Sequence, residues 1–305
     1  MLLCGSSHVA QRGNRKKVVV LGGGYAGTTV AKQLDKKLDV TLIDRQNAMT
    51  LTFGTPRAAS SKQFAPLVFI PYDKLLRDGK IMRGEICDIN ESSVVIRTHG
   101  SSENTIINYD YLVVATGAAW NFPSRPMSSD AREAIQEYEE CSSALSRCSS
   151  VLIIGGGTVG VELACEIKYY HPSKPVTLVH RGNQLCAPQL SDSFYTSLLI
   201  KMRRLGVEIV LNEQVSLPDE VMRQPYYRGP PLTVTASSGR SFTADVIFRC
   251  TGTAPAAGHL SFFSARGLVD AAGRVHVNEH LQVEGLRHVF AVGDCCDTRE
   301  QKLAY

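Results

Sequence analysis

The sequence lacks the patterns of a disulfide-stabilised, metal-binding or membrane-spanning protein. Its nine cysteines are scattered and include no Cys-x-x-Cys pair, so neither a disulfide framework nor a zinc site is expected. An odd number of scattered cysteines favours free thiols in a reducing compartment. No apolar run is long enough to cross a bilayer, and no metal site or Ser/His/Asp triad is evident among the eight histidines.

The sequence also has little excess charge. Its net charge is +4, and the densest basic run is Arg15-Lys16-Lys17, so no specific nucleic-acid partner is expected. No acidic residue precedes Asp35, so a mitochondrial presequence stays open, although a disordered leader over residues 1–16 is the preferred prediction. Gly does not follow Met1, which removes the usual N-myristoylation signal, and lipidation of Cys4 stays open.

What the sequence does contain is one pattern that occurs twice. "KVVVLGGGYAGTTVAKQL" and "SVLIIGGGTVGVELACEI" each join an apolar, β-branched run to a glycine cluster and an apolar-periodic helix. Both clusters read G-x-G-x-x-G, at Gly22, Gly24 and Gly27 and at Gly155, Gly157 and Gly160. The first glycine allows a tight turn, the second admits a pyrophosphate, and the third lets helix and strand pack closely. Two copies in 305 residues predict two dinucleotide-binding domains.

The two copies differ where the second strand of each unit ends. The predicted strand 39–43 ends at Asp44, 22 residues after Gly22, where a carboxylate accepts hydrogen bonds from an adenosine ribose. The predicted strand 175–179 ends at His180-Arg181 instead, so strict NADH preference is not expected. These side chains either accommodate a 2′-phosphate, which gives NADPH or dual use, or face solvent, and both readings stay open.

The fold prediction is α/β, with two Rossmann-like domains and the second inserted in the first. The predicted boundaries are a leader over 1–16, an FAD-binding domain over 17–122 and 253–305, and an NAD(P)H-binding domain over 123–252. A pyridine nucleotide that delivers hydride to a flavin explains two nucleotide sites, because two nicotinamides would lack an acceptor. Residues 45–72 read as irregular and residues 130–147 as a helix.

These motifs resemble those of the FAD-dependent pyridine nucleotide oxidoreductases, the two-dinucleotide-binding-domain flavoproteins. The chain is most similar to their apoptosis-inducing-factor-like members, with type II NADH dehydrogenases as more distant relatives. The resemblance runs from about Lys17 to Tyr305 and includes "YDYLVVATG", "AIQEYEE", "VNEHLQVEG" and "VFAVGDC". It implies FAD as cofactor and NADH or NADPH as substrate. It also implies a C-terminal domain after Tyr305, which we expect to be missing here.

The resemblance assigns site residues by position. FAD would be held by Gly22, Gly23, Gly24, Tyr25, Ala26, Gly27, Asp44, Arg45, Arg57, Cys87 (through its backbone), Ala115, Thr116, Gly117, Gly293 and Asp294. The pyridine nucleotide would be held by Gly155, Gly157, Thr158, Val159, Gly160, Glu162, His180, Arg181, Thr251 and Gly252. Glu162 would also be catalytic, near nicotinamide and flavin. The alternatives are a solvated loop charge for Arg57, a helix cap for Asp294 and an exposed first-turn glutamate for Glu162.

The resemblance implies a quinone as electron acceptor rather than a disulfide. Disulfide reductases of this superfamily carry Cys-x-x-x-x-Cys after the first acid, but residues 44–61 contain no cysteine. The adjacent Cys295 and Cys296 are interpreted as incidental. The predicted function is therefore NAD(P)H:quinone oxidoreduction, and the alternative is a flavin-binding signalling or scaffold protein with little turnover. A cytoplasmic location is expected, with peripheral membrane association and a mitochondrial location left open, and no oligomeric state is predicted.

Overall fold

The structure is a computed structural model that describes residues 15–186, 190–255 and 261–298. Its strands are β1 (Lys17–Leu21), β2 (Asp39–Asp44), β3 (Ala48–Thr50), β4 (Phe69–Pro71), β5 (Lys80–Ile89), β6 (Ser93–Thr98), β7 (Asn104–Asn108), β8 (Tyr111–Val114), β9 (Ala118–Trp120), β10 (Val151–Ile154), β11 (Val176–Val179), β12 (Val207–Val210), β13 (Tyr227–Thr235), β14 (Ser241–Arg249), β15 (Thr253–Pro255), β16 (Gln282–Val283) and β17 (Leu286–Ala291). Its helices are α1 (Tyr25–Leu34), α2 (Thr55–Ser60), α3 (Ala131–Arg147), α4 (Thr158–Tyr170), α5 (Asp192–Arg204), α6 (Asp219–Met222) and α7 (Ser261–Ser264).

The described residues form two compact units. The first unit contains the chain up to Met49, from Pro71 to Ala119, and from Ala254 onward, and the second contains Thr50–Ile70 and Trp120–Thr253. The second unit is therefore inserted in the first. Of the predicted leader, only Arg15 and Lys16 are described, and their side chains bond those of Asp78 and Asp110. Cys4 and the chain end at Tyr305 lie outside the described residues.

The first unit is built on a sheet of strand order β16-β17-β8-β1-β2-β5-β6-β7. The strand β1 pairs in parallel with β2 and β8, and β17 pairs in parallel with β8. Val18 and Val20 pack with Ala31 of α1 on one face, whereas Val19 and Leu21 pack on the opposite face. Burial on both faces explains why β1 reads as a continuous apolar run instead of an alternating one.

The second unit repeats this arrangement with a sheet of order β12-β11-β10-β14-β13. The strand β10 is central and pairs in parallel with both β11 and β14. Val151 and Ile153 join the core cluster that contains residues of α2, α3 and α4, and Leu152 and Ile154 join the cluster on the other face. In both units, the chain leaves the central strand at its carboxyl end, between neighbouring strands that run the same way. Open parallel sheets bind ligands at this position.

The prediction of an irregular segment over residues 45–72 is wrong, because this segment contains the helix α2 and the short strands β3 and β4. Ala58 and Ala59 of α2 are fully buried among side chains of α3 and α4, and Ser142 of α3 donates its hydroxyl to the carbonyl of Ser60. The sequence prediction placed this segment in the first domain, whereas the structure groups Thr50–Ile70 with the second unit. A helix of six residues is too short to show the helical period in the sequence.

The carboxylate of Asp35 organises the return of the chain into β5. Asp35 follows α1, is nearly fully buried, and accepts backbone N–H bonds from Arg77 at 2.6 Å, Asp78 at 3.2 Å and Gly79 at 2.6 Å. Burial raises the pKa of Asp35, but the three backbone N–H groups and the nearby Arg15 outweigh it and leave the pKa below 3.8. The segment before β5 is thus held by one ionised side chain.

We predict that Asp35→Asn lowers the free energy of unfolding by about 1–3 kcal/mol at neutral pH, because an amide cannot accept all three N–H bonds. The stabilisation by Asp35 is complete above its ordinary pKa of 3.8 and is lost as pH falls through the lower folded value. The variant should therefore lose part of its acid sensitivity below about pH 4. Urea unfolding at several pH values tests this, with the exposed Asp39→Asn as control. Equal effects of the two substitutions would contradict the prediction.

Candidate functional site

The glycine turn of the first unit leaves one side open to a ligand. Gly22 has a φ of 102°, and a Cβ at this residue would overlap the carbonyl oxygen of Ala115. A Cβ at Gly27 would overlap the carbonyl oxygen of Gly22. A Cβ at Gly24, which precedes α1, would meet nothing within 4 Å. The first and third glycines are therefore needed for packing, and the second borders free space at a helix N-terminus, where a pyrophosphate fits.

The second unit has the same turn with the same division of roles. Gly155 has a φ of 112°, and a Cβ at this residue would overlap the carbonyl oxygen of Cys250. A Cβ at Gly160 would overlap the carbonyl oxygen of Gly155, whereas one at Gly157 would meet nothing within 4 Å. Thr158 and Val159 begin α4 directly above this open side. The chain therefore contains two turns of one geometry, each with room for a phosphate group.

The side chains that follow the second strands occupy equivalent places. The carboxylate of Asp44 accepts the backbone N–H of Gly23 and, at 2.7 Å, that of Gln46. In the second unit, Nδ1 of His180 accepts the backbone N–H of Gly156 at 3.1 Å. Burial lowers the pKa of His180 below its ordinary value, and Arg181 adds to this effect against a hydrogen bond from the ring to the backbone of Gln184, so His180 is neutral at neutral pH. His180 is therefore bound to the glycine turn, and Arg181 is the exposed cation at this strand end.

Five further predicted residues of the first unit, Ala115, Thr116, Gly117, Gly293 and Asp294, follow strands that end near the same turn. Thr116 and Gly117 follow β8, and the carbonyl of Ala115 contacts the turn as described above. Gly293 has a φ of 77°, and a Cβ on it would lie 3.1 Å from Cβ of Ala26 in the first turn of α1. Asp294 is partly exposed next to this contact. The carboxyl ends of β1, β2, β8 and β17 thus bring these predicted FAD residues together.

The adjacent cysteines at the end of the described chain are both buried thiols. The Cys295 thiol donates to the carbonyl of Val114 at 3.2 Å, and burial raises its pKa to about 11. Cys296 is also buried, and its thiol donates to the carbonyl of Gly293 at 3.1 Å. These thiols pack in the core of the first unit.

Arg57 and Asp44 belong to different compact units, because the helix α2 is part of the second unit. Its Nε and Nη2 atoms donate to Oε1 of Glu166 at 3.0 and 2.9 Å, and its guanidinium lies 5.2 Å from the ring centroid of Phe64. Hydrogen bonding to Glu166 raises the pKa of Arg57. The predicted contact of Arg57 with flavin stays a prediction, and the contact that the structure places is the ion pair.

Glu162 and Glu166 are one helical turn apart on α4. Glu162 is exposed by surface area, yet the protein atoms around its carboxylate desolvate it and raise its pKa, and the charge of Glu166 adds to the effect. Arg57 offsets the negative charge of Glu166. This arrangement produces a carboxyl group that holds its proton more readily than an ordinary glutamate.

Two predicted residues of the first unit are at the sheet surface. Arg45 is exposed directly after β2, and its carbonyl accepts a bond from Nε of Arg83 at 3.2 Å. Arg83 is the partner of Asp44 across the sheet. Cys87 is exposed farther along β5, where the pairing with β6 shifts register between Ile86 and Asp88. Its thiol contacts the carbonyl of Glu85 and the side chain of Asn104, and the assigned backbone contact with FAD stays a prediction.

A cavity of 220 Å³ lies beside the glycine turn of the second unit. Its lining includes Gly157, Thr158, Val159 and Gly252, all predicted from the sequence, together with Asn121 and Arg249, which the sequence analysis missed. Asn121 is hydrogen-bonded to the carbonyl of Thr251 at 3.3 Å.

The first unit has a cavity of 420 Å³ near Asp44, which Gln46, Tyr72 and Arg83 help to line. Tyr72 donates to the carbonyl of Gly23 at 2.8 Å and was also missed, since nothing in its sequence context marks it.

In residues 15–186, 190–255 and 261–298, no group of three His, Cys, Asp or Glu side chains is placed to hold a metal ion. Within the same ranges, no helix is long and apolar enough to cross a membrane. The two glycine turns leave room for the phosphate groups of cofactors.

Comparison with known proteins agrees with this geometry. The profile of the pyridine nucleotide-disulphide oxidoreductase family matches residues 16–304. Apoptosis-inducing factor homolog B of Dictyostelium discoideum is 33% identical over 308 residues, which cover 95% of this chain and 77% of that protein. Ferroptosis suppressor protein 1 of Homo sapiens is 30% identical over 302 residues, which cover 98% of this chain and 79% of that protein.

A solved structure shows the same fold. NDH2 from Plasmodium falciparum in complex with NADH is 18% identical, with a TM-score of 0.71 over 93% of this chain and 64% of that chain. The chain therefore spans less than two thirds of the length of that structure. The sequence-based resemblance and the α/β fold are confirmed. The chain belongs to the pyridine nucleotide-disulphide oxidoreductase family, of which FAD is the typical cofactor.

Proposed function

We propose that this chain is an FAD-dependent NAD(P)H oxidoreductase that reduces a quinone without a redox-active disulfide. The observation that supports this proposal is the pair of glycine turns, each with open space above its second glycine, Gly24 or Gly157. One turn is assigned to FAD and the other to the pyridine nucleotide. The overall reaction converts NAD(P)H, a proton and a quinone to NAD(P)⁺ and a hydroquinone. FAD, when bound, supplies the hydride acceptor that links the two substrates.

Three thiols of the described residues support electron transfer without a disulfide. Burial raises the pKa of Cys250 to about 12 and those of Cys165 and Cys295 to about 11. Thiols with such pKa values stay protonated at neutral pH and are poor nucleophiles. Because the sequence after Asp44 also lacks the Cys-x-x-x-x-Cys pair, a small acceptor such as a quinone is the consistent choice. The resemblance to apoptosis-inducing-factor-like oxidoreductases supports the same acceptor.

The side chains of this protein would bind and orient the cofactor and the nucleotide, and they would take little direct part in making or breaking bonds. We assign Asp44 to the adenosine ribose of FAD and Asp294 to its ribityl or pyrophosphate region, as the family resemblance implies. Glu162 is assigned to the nicotinamide end, and desolvation raises its pKa above that of an ordinary glutamate. Positioning of this kind accounts for most of the catalysis that a protein adds to hydride transfer.

The proposal predicts that the purified protein is yellow and that NADH or NADPH bleaches it under anaerobic conditions. Adding a soluble quinone should restore the colour and give steady nucleotide oxidation. Absorbance at the flavin band and at the nicotinamide band measures both steps. A yellow protein that neither nucleotide reduces would instead favour a flavin-binding scaffold, and bleaching without quinone turnover would remove the quinone from the proposal.

Single substitutions at the two open glycines should separate the two sites. A Cβ at Gly24 or Gly157 meets no protein atom within 4 Å, so either alanine variant should fold normally. Gly24→Ala should lose FAD, because its methyl group occupies the place of the pyrophosphate. Gly157→Ala should keep FAD and bind NADH and NADPH at least about tenfold more weakly. Flavin content and nucleotide titration measure these effects, and FAD loss in Gly157→Ala would reverse the assignment.

Nucleotide preference should depend on Arg181 and not on His180. His180 is neutral and bonded to Gly156, which leaves Arg181 as the cation that can meet a 2′-phosphate. Arg181→Glu should weaken the binding of NADPH about tenfold or more relative to that of NADH, because it places a carboxylate near the 2′-phosphate. Dissociation constants for both nucleotides test this, with Arg240→Glu, on the surface of the same unit, as control. Equal weakening of both nucleotides would show that Arg181 does not read the 2′-phosphate.

A further inference from the structure

Arg249 is a cation whose contacts leave its charge without a counterion. It ends β14, is partly buried, and lines the 220 Å³ cavity beside the glycine turn of the second unit. One Nη atom donates to Oδ1 of Asn121 at 3.0 Å, and the other donates to the carbonyl of Met222 at 3.0 Å and lies 3.0 Å from its sulfur. All these partners are neutral, and within the described residues no carboxylate forms an ion pair with Arg249. By contrast, Arg57, Arg228 and Arg240 of the same unit each pair with a glutamate.

The position of Arg249 in the sheet limits which part of a dinucleotide it could meet. The central strand β10 has β11 on one side and β14 on the other. The adenosine side is marked by the end of β11, where His180 and Arg181 follow the strand. Arg249 is on the opposite side, paired with Ile154 at the carboxyl end of β10, directly before the glycine turn. It is therefore on the side of the nicotinamide half.

The size and lining of the cavity agree with a fragment that carries a phosphate. A volume of 220 Å³ is smaller than a site for a whole drug-sized ligand, which takes about 300–1,000 Å³. The lining joins Arg249 to Gly157, the glycine that borders open space, and to Thr158 at the N-terminus of α4. Backbone N–H groups of a helix start and an arginine are the two donor types that proteins use to bind phosphate.

We propose that Arg249 binds the phosphate nearer the nicotinamide in the pyrophosphate of NADH and NADPH. This inference rests on the proposed function and adds to it a residue that recognises what both nucleotides share. Asn121 positions the guanidinium, because it accepts from Arg249 through Oδ1 while its amide nitrogen donates to the carbonyl of Thr251. The cation then offsets the charge of the pyrophosphate at the end where the hydride is transferred. No bond is made or broken by Arg249.

The test compares nucleotides that carry the pyrophosphate with dihydronicotinamide riboside, a hydride donor that has no phosphate. Arg249→Gln should weaken the binding of NADH and NADPH equally, by about tenfold to a hundredfold in dissociation constant, which is the range for one charge-assisted contact. The rate at which excess dihydronicotinamide riboside bleaches the flavin should stay within about twofold of the wild-type rate. Raising the salt concentration should weaken NADH binding more in the wild type than in the variant.

Flavin content and thermal unfolding of each variant establish that it is folded. Arg249→Lys keeps the charge but loses the paired donors, so its affinity for NADH and NADPH should lie between those of the wild type and Arg249→Gln. Arg240→Gln is the matched control, since it removes an exposed arginine that pairs with Glu208, and it should leave nucleotide binding unchanged.

Three results would overturn the inference while leaving the proposed function in place. The first is an affinity of Arg249→Gln for NADH and NADPH that equals that of the wild type. The second is a loss of affinity for NADPH alone. The third is a bleaching rate with dihydronicotinamide riboside that falls as much as the affinity for the nucleotides. The last of these would indicate that Arg249 only braces Asn121 and the segment at Met222. A wild-type protein that carries FAD but binds neither nucleotide would contradict the proposed function itself.

Discussion

The rest of the structure depends on one close contact, which occurs in both units. In each unit a backbone carbonyl oxygen would overlap a Cβ on the first glycine of the turn. This oxygen belongs to the residue directly after a neighbouring parallel strand, which is Ala115 in the first unit and Cys250 in the second. Only glycine adopts the positive φ of Gly22 and Gly155 without strain and also leaves room for that oxygen. The contact lets the central strand turn immediately into its helix. The helix N-terminus is thereby brought to the carboxyl edge of the sheet, where the candidate ligands of each cofactor meet.

The two units use this shared backbone with different side chains. In the first unit the carboxylate of Asp44 accepts from the glycine turn, and in the second the ring of His180 does so. The two acceptors perform the same structural task but present different charge to a ligand. The cations beside the second turn, Arg181 and Arg249, suit a ligand that carries phosphate groups on both sides of β10. The two units therefore share one backbone turn but present different side chains to a ligand.

Much of the fold could be predicted because its signals are local. The glycine motifs, the apolar runs of β1 and β10 and the helix α3, which begins after its capping residue Asp130, are each visible within a short window. The helix α2 was missed because six residues hold less than two helical turns and its burial depends on α3 and α4. Asp35 was missed for a related reason, since its three backbone partners are more than 40 residues away in sequence.

The sequence by itself determined that two dinucleotide-binding units exist, where each glycine turn lies, and that Asp44 and His180-Arg181 follow the second strands, because glycine spacing and strand periodicity are properties of neighbouring residues. Only the tertiary structure decided that His180 is tied to Gly156, that Arg57 is paired with Glu166, and that Arg249 reaches the second glycine turn with no carboxylate partner among the described residues. These facts depend on side chains from distant strands and helices meeting at one sheet edge. Pairing and burial of this kind set the charge that a ligand meets, and no local pattern records them.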